Sequence, residues 1–293
     1  MRILLTGGKG MLAQDFLSVL DQFPEFECYA PLRKELDITN QKQLESIIKN
    51  YRPEILLNCA AYTKVDKAET ESAIAFSVNG TSVGKLAEAC HRSRVKIVHL
   101  STDFVFDGRN STPVTEYNYT APLGVYGKSK REGEARIEAS DADWLTVRTS
   151  WLFAAHGNNF VRTMLRLGSE RNEIKVVSDQ FGSPTWTVDL ALALCQLIRI
   201  DAKNYFHFGG LNSCSWFELA SYTMHKAHQM GLLLNLPKVI PIQTHQYPLP
   251  APRPPYSVLS TLRYRELTGF QPMKWETAVD SVLKRIREKS QNE

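Results

Sequence analysis

The chain has few of the features that mark a secreted or membrane protein. Its five cysteines (Cys28, Cys59, Cys90, Cys195 and Cys214) are odd in number, far apart and never in a Cys-x-x-Cys pair. That excludes a disulfide framework and a thiolate metal site as the organising principle, and most of the five lie in apolar runs, as reduced core thiols do. No apolar run approaches the roughly 18 residues of a membrane span. Met1-Arg-Ile-Leu-Leu5 passes straight into Thr6-Gly7-Gly8, which leaves no room for the apolar region of a secretory signal. Charge of one sign is also scarce. The 35 Lys and Arg against 31 Asp and Glu leave a net +4, compatible with an anionic metabolite but too weak and scattered for a nucleic-acid surface. The seven histidines lack His-x-x-x-His and Cys/His ligand spacing, and His225 with His228 reads as a solvated helix face. The expectation is a soluble, cytoplasmic enzyme with no nucleic-acid or membrane partner.

What is present is a large apolar fraction in alternating periodicities. With 293 residues, 43% of them hydrophobic, the chain has material for about two domains. Short β-rich runs stand at Arg2–Leu5, Glu27–Ala30, Ile55–Asn58, Val95–Leu100 and Trp144–Val147. Helical patterns separate them; the clearest is Ser72–His91, where Ile74, Val78, Leu86, Ala87 and Cys90 can share a face. Such alternation predicts βαβ crossovers and a parallel sheet, and the lack of apolar/polar alternation within the strands fits a sheet covered on both faces. The predicted fold is α/β: a doubly wound, Rossmann-like parallel sheet over 1–150, then a smaller mixed substrate-binding lobe over 151–293 with some segments returning to the first domain. In that second part helices are expected at Asn159–Leu167, Val188–Ile200, Trp216–Met230 and Trp275–Arg287, and strands at Ile174–Val177 and Tyr205–Phe208. Pro237–Pro255 holds seven of the fourteen prolines, so it is expected as a rigid loop over a cleft rather than as helix or central strand.

The first strand opens into Thr6-Gly7-Gly8-Lys9-Gly10-Met11-Leu12-Ala13. Gly7 would make a tight turn and Gly10 would let the backbone approach a pyrophosphate. The amides of the following helix would meet its charge, and Ala13 would replace a third glycine where helix packs on strand. An ordinary βα turn is the plainer alternative. After the second strand, Tyr29-Ala30-Pro31-Leu32-Arg33-Lys34 has no acid to hold ribose hydroxyls. Arg33 and Lys34 suit a 2′-phosphate, which favours NADPH and leaves NADH open; two solvated surface cations are the alternative.

Tyr126 and Lys130 are spaced Tyr-x-x-x-Lys, one turn apart on a helix face. An ammonium near a phenol favours its ionised form. Ser101-Thr102-Asp103 closes the fourth β run, so a hydroxyl, a phenol and an amine would converge to polarise a carbonyl and deliver a proton.

These motifs, with Asn58-Cys-Ala-Ala-Tyr-Thr-Lys-Val-Asp-Lys-Ala-Glu69 and Ser101-Thr-Asp-Phe-Val-Phe-Asp-Gly108, resemble the extended short-chain dehydrogenase/reductases. Arg148-Thr-Ser-Trp-Leu-Phe153, Gly157-Asn-Asn-Phe160, Asp179-Gln-Phe-Gly-Ser-Pro-Thr185 and Arg253-Pro254 are similar, in order, to a subgroup that reduces dTDP-linked 4-keto sugars. The resemblance covers nearly the whole chain. It implies that Gly7, Gly10, Met11 and Leu12 form the pyrophosphate turn, that Asp37 and Ile38 touch the adenine, and that Ala61, Tyr62 and Thr63 line the nicotinamide side. It makes Thr102, Tyr126 and Lys130 catalytic, with Tyr126 and Lys130 also on the cofactor. Asp103 would lie beside the sugar, Trp151 on the deoxysugar nucleotide and Arg253 near its diphosphate. Trp151 as a plain core aromatic and Arg253 as a surface cation are the alternatives. The implied reaction is NAD(P)H-dependent reduction of dTDP-4-dehydro-L-rhamnose to dTDP-L-rhamnose, a surface-polysaccharide precursor.

Two departures stand out: Leu32 replaces an acid common in relatives, and Phe104 replaces a commoner tyrosine. Some relatives place magnesium at a dimer interface near positions matching Asp15 and Asp189. Here these acids read equally as helix-start charges, so no metal is predicted, magnesium is left as an alternative, and a homodimer stays open. A dehydratase on the same scaffold would need an acid after Thr102-Asp103, where Phe104 stands; an epimerase, or a non-catalytic regulatory subunit, is the remaining competitor.

Overall fold

The computed structural model describes residues 1–292. Six strands build a fully parallel sheet in the order β2-β1-β3-β4-β5-β10. They are β1 (Arg2–Thr6), β2 (Glu27–Tyr29), β3 (Ile55–Asn58), β4 (Lys96–Thr102), β5 (Trp144–Thr149) and, after the short strands β6 (Leu152–Phe153), β7 (Glu173–Val177), β8 (Phe181–Gly182) and β9 (Thr185–Trp186), β10 (Asn204–Phe208). Two further strands follow, β11 (Cys214–Ser215) and β12 (Lys238–Ile242). The first-half helices are α1 (Met11–Val19), α2 (Gln41–Tyr51), α3 (Val65–Ala68), α4 (Ser72–Phe76), α5 (Ser82–Ser93) and α6 (Val125–Glu138). The later ones are α7 (Phe160–Glu170), α8 (Thr187–Arg199), α9 (Trp216–Gln229), α10 (Leu262–Thr268) and α11 (Trp275–Asn292). None of the described helices is long and apolar enough to cross a membrane.

The sheet is apolar on both faces, which is why its strands read as continuous hydrophobic runs. Ile3, Leu5, Leu57 and Val98 pack with Phe16 and Leu194 on one side; Leu4, Leu56 and Ile97 pack with Leu44, Leu86 and Ile137 on the other. The chain leaves β1 toward β2 and returns to the opposite side at β3. A crevice opens at such a reversal, above the carboxyl ends of the strands, so ligands are expected beside Thr6 and Asn58.

Two expectations need correction. Ser72–His91 is not one helix: α4 and α5 are joined by a π turn over Ser77–Thr81. The residue this wider turn inserts rotates the earlier face, so Ala75 is buried and Ile74 is 52% exposed. Likewise Pro237–Pro255 contains a strand, β12, paired in parallel with β7. Pro241 is tolerated there because a two-stranded sheet has only edges. Beyond β12, residues 244–249 and 251–253 line a cavity of about 870 Å³ with Phe160, Gln180 and Trp216.

Candidate active site

The glycine turn closes through Gly10 N–H to Gly7 O at 2.8 Å. Gly7 has φ +71°, and a Cβ there would stand 2.8 Å from Ala60 N and 2.9 Å from Cys59 O, so glycine is required by both conformation and space. Gly10 caps α1 with no side-chain partner, and Gln14 is the first amide to bond back, to Gly10 O. The earlier amides, including those of Met11 and Leu12, are the free donors of a helix start and suit a pyrophosphate. Met11 is fixed from below: Asn159 Nδ2 lies 3.5 Å from its sulfur.

The end of β2 abuts this turn, with Ala30 Cβ 3.2 Å from the place of a Gly8 Cβ. Here Arg33 and Asp37 pair at 3.0 Å, the Arg33 side chain 84% exposed. Thr39 and Arg33 hold the Asp37 carboxyl below its ordinary range against a desolvation that raises it. Ile38 is buried in the core beside them.

On the other wall, Ala61, Tyr62 and Thr63 follow β3 in a loop that Asn79 clamps. Asn79 Oδ1 accepts from Tyr62 N–H (2.8 Å), and its Nδ2 donates to Tyr62 O and Ser129 Oγ, both at 3.0 Å. Asn79 sits in the π turn and so ties this loop to α6. The sequence offered only an Asn-Gly pair inside a helical pattern as a hint, and Asn79 was not expected as a site residue.

Thr102 ends β4 and caps the following 3₁₀ turn, accepting from Phe104 N–H at 3.2 Å and donating to Asp103 Oδ1 at 2.9 Å. Tyr126 stands in the first turn of α6 with its ring edge on Phe104, centroids 5.5 Å apart. Helix α6 comes this close because Gly127 carries no Cβ; one would lie 2.2 Å from Phe104 O. Burial pushes the Tyr126 phenol up to about 12, opposed by the Thr102 hydrogen bond and reinforced by Asp103. Asp103 is itself buried, and desolvation raises its carboxyl to about 6 against hydrogen bonds from Ser257 and Thr102 that lower it. Lys130, also buried, donates to Leu100 O at 2.6 Å. The structure thus brings Thr102, Asp103 and Tyr126 together with Lys130 one helical turn behind. The Lys130 amine is turned toward Leu100 O and His99 Nε2, while burial, Thr102 and Asp103 set the shift of the phenol.

Trp151 has φ +48°, and its indole stacks on Trp216 with centroids 3.4 Å apart and planes 6° from parallel. Gly182 backs it: a Cβ there would come within 2.4 Å of Trp151 Cε2. Trp216 and Arg253 line the same 870 Å³ cavity, while Arg253 itself forms a double ion pair with Asp66 on α3. Asp15 accepts from Thr187 Oγ1 and lies 3.6 Å from His156 Nε2. Asp189 accepts from Met273 N–H at 2.7 Å.

The family model described as RmlD substrate binding domain matches residues 1–288. The dTDP-4-dehydrorhamnose reductase of Aggregatibacter actinomycetemcomitans is 40% identical over 287 residues, covering 96% of this chain and 98% of the relative. The Burkholderia thailandensis protein of the same name is 41% identical, covering 95% and 97%. Among solved structures, the Bacillus anthracis dTDP-4-dehydrorhamnose reductase in complex with NADP superimposes with a TM-score of 0.91 at 37% identity, covering 97% and 99%. A Thermus thermophilus UDP-glucose 4-epimerase, 19% identical, shares the fold alone with a TM-score of 0.80. Spanning nearly its entire length with that family model, the chain belongs to the RmlD substrate binding domain family.

Proposed function

We propose that the protein is an NADPH-dependent reductase of dTDP-4-dehydro-L-rhamnose, forming dTDP-L-rhamnose in the cytoplasm. The observation that carries this reading is the meeting of Thr102, Asp103 and Tyr126 at the carboxyl end of β4, the end of the strands at which such a sheet binds its ligands. The reductases at about 40% identity, and the structure that holds NADP, support the choice of substrate and cofactor.

The cradle at Gly7, which a Cβ would fill, and the free amides of α1 fit a dinucleotide. When bound, NADPH supplies the hydride. Arg33, exposed and paired with Asp37, meets the 2′-phosphate. Ala61, Tyr62 and Thr63, locked by Asn79, form a fixed wall for the nicotinamide half. Tyr126 donates the proton to the C4 oxygen, and Thr102 hydrogen-bonds that oxygen. A phenol near 12 is a weak acid at neutral pH, but it matches the strongly basic alkoxide that ketone reduction creates. Lys130 offsets the phenolate charge left behind and holds the cofactor ribose. The Trp151–Trp216 stack gives the deoxysugar an apolar floor, and Arg253 faces the diphosphate. In this reading residues 1–150 mainly hold the cofactor and residues 151–293 mainly the sugar nucleotide.

The test is NADPH oxidation with dTDP-4-dehydro-L-rhamnose and identification of the product. Stoichiometric formation of dTDP-L-rhamnose supports the reductase. Interconversion of sugars without net cofactor oxidation points to an epimerase, and binding without turnover to a regulatory subunit.

A further inference from the structure

One rung of the sheet is polar where its neighbours are not. Leu4, Leu56, Ile97 and Trp144 are lateral partners across β1, β3, β4 and β5; two residues further on, the partners are Thr6, Asn58, His99 and Thr146. Thr6, Asn58 and His99 are each 1% exposed. Burying such a row is costly unless its groups are paired; the Thr146 hydroxyl has no partner among the described residues, but Thr6, Asn58 and His99 are linked in one direction, toward Lys130.

Asn58 Oδ1 accepts from Thr6 Oγ1 at 2.6 Å and from Ala60 N–H at 3.2 Å. The backbone amide is an obligate donor, so it fixes which end of the Asn58 amide is oxygen. Asn58 Nδ2 therefore donates to His99 Nδ1, 3.0 Å away. A neutral imidazole that accepts at Nδ1 carries its proton on Nε2. Burial, followed by the Lys130 charge, holds His99 well below its ordinary range, so the ring is neutral. Its Nε2 lies 3.4 Å from Lys130 Nζ. A hydrogen bond there needs the amine lone pair; an ammonium would set N–H against N–H.

We propose that His99 is a positioning residue for the reduction: with its tautomer fixed by Asn58, it turns an N–H toward Lys130 Nζ and so works against the protonated form of that amine. The idea rests on the reading of Lys130 as part of the reductase site. It makes the lysine charge adjustable near neutral pH rather than permanent, so that phenolate support is lost on mild alkalinisation.

Asp103, on the Thr102 side of the phenol, titrates near 6; among the groups facing the amine, Lys130 is the one that titrates above neutrality. Burial lowers its amine to about 8, offset by Glu134 and Cys59. From the segment after β3, Cys59 is pushed up to about 12. On α6 itself Tyr126 is likewise near 12, and Glu134 is held by Arg148 in two bonds of 2.8 Å. From β4, His99 stays neutral. The alkaline limb of kcat for ketone reduction should therefore report Lys130.

Asn58→Asp is nearly isosteric and reverses the hydrogen bond: a carboxylate only accepts, so the proton moves to Nδ1 and Nε2 accepts from Lys130. The alkaline limb should move up by roughly one pH unit, the size of shift a nearby charge produces. Asn58→Ser, whose hydroxyl accepts or donates, should move it less and in the same direction. Long-range nitrogen–proton correlations of the histidine rings read the tautomer of the unaltered protein without any variant or turnover. An Nε2–H signal for His99 that becomes Nδ1–H in Asn58→Asp supports the proposal. An Nδ1–H or doubly protonated ring in the unaltered protein, or a limb that stays put in folded Asn58→Asp, overturns it. Full ketone reduction by Lys130→Met would instead topple the site assignment, while the ring spectrum would still report whether Asn58 fixes His99.

Discussion

Arg253 and Asp66 meet in a two-pronged ion pair, Nη1 to Oδ1 at 2.5 Å and Nη2 to Oδ2 at 2.8 Å, across 187 residues of sequence. Ala251 N–H and O join the same knot. The pair pins the proline-rich segment to α3, just beyond the loop that carries Ala61, Tyr62 and Thr63. It thereby holds the Arg253 guanidinium at the rim of the 870 Å³ cavity.

Removing that guanidinium should weaken ground-state binding more than chemistry. Hydrogen bonds to charged groups are worth about 1.5–3 kcal/mol, roughly 10- to 150-fold in affinity. Arg253→Met is therefore expected to raise KM for the sugar nucleotide by that order with kcat little changed, since the diphosphate is remote from C4. Asp66→Asn should raise KM less. Its cost in stability should stay below about 1 kcal/mol, because the pair is partly exposed to water. An unchanged KM in Arg253→Met would remove Arg253 from the substrate site.

Tyr126→Phe keeps the ring on Phe104 and deletes the proposed proton donor. Loss of a general acid typically costs about 10²–10⁴-fold, so kcat should fall by that order while NADPH affinity and Tm stay near their starting values. Stopped-flow hydride transfer and a thermal melt check both halves. Near-normal turnover would require another acid, and buried Asp103, raised to about 6, would be the next to test.

Cofactor choice should depend on Arg33. Its side chain is 84% exposed and paired with Asp37, so Arg33→Ala has little to lose in stability. Titration of both cofactors should show NADPH weakened by up to about 1.5–3 kcal/mol and NADH hardly affected. Equal losses for the two would contradict a 2′-phosphate contact.

The parts legible in the sequence are those whose chemistry is local. Gly7 and Gly10 lie in one turn, and Tyr126 and Lys130 lie on one helical face; each pair is specified within five residues. The parallel sheet was legible for a similar reason, since strands buried on both faces leave continuous apolar runs. What stayed hidden depends on partners far apart. Thr6, Asn58 and His99 become a row only once β1, β3 and β4 are in register, and Arg148 with Glu134 is a buried pair only once β5 meets α6. Ile74 was misplaced because no pattern announces the single extra residue of a π turn. The orientation of Lys130 was missed as well, since a Tyr-x-x-x-Lys spacing fixes a face but not where a long side chain points.

Asp103 provides a prediction whose sign depends on pH. Asp103 is 2% exposed, and its folded value of about 6 lies above the ordinary 3.8 because burial disfavours the charge more than its Ser257 and Thr102 hydrogen bonds favour it. An acid raised on folding binds its proton more tightly in the native state. Its ionisation therefore costs nothing below pH 4, and the stability it allows is lost as pH rises through 6. A shift of about two units corresponds to roughly 3 kcal/mol at most. Asp103→Asn keeps the shape and an acceptor for Thr102 without the charge. At pH 7 the variant should therefore melt higher than the unaltered protein, and the difference should shrink as pH falls from 6 toward 4. Its ketone reduction should fall at the same time, because a carboxylate beside the sugar and Thr102 is lost. Denaturant melts at pH 4, 5, 6 and 7 with paired kinetics decide it. A stabilisation that is the same at every pH would show that Asp103 is not a strained buried acid, and a stabilised variant with full activity would separate it from the reaction.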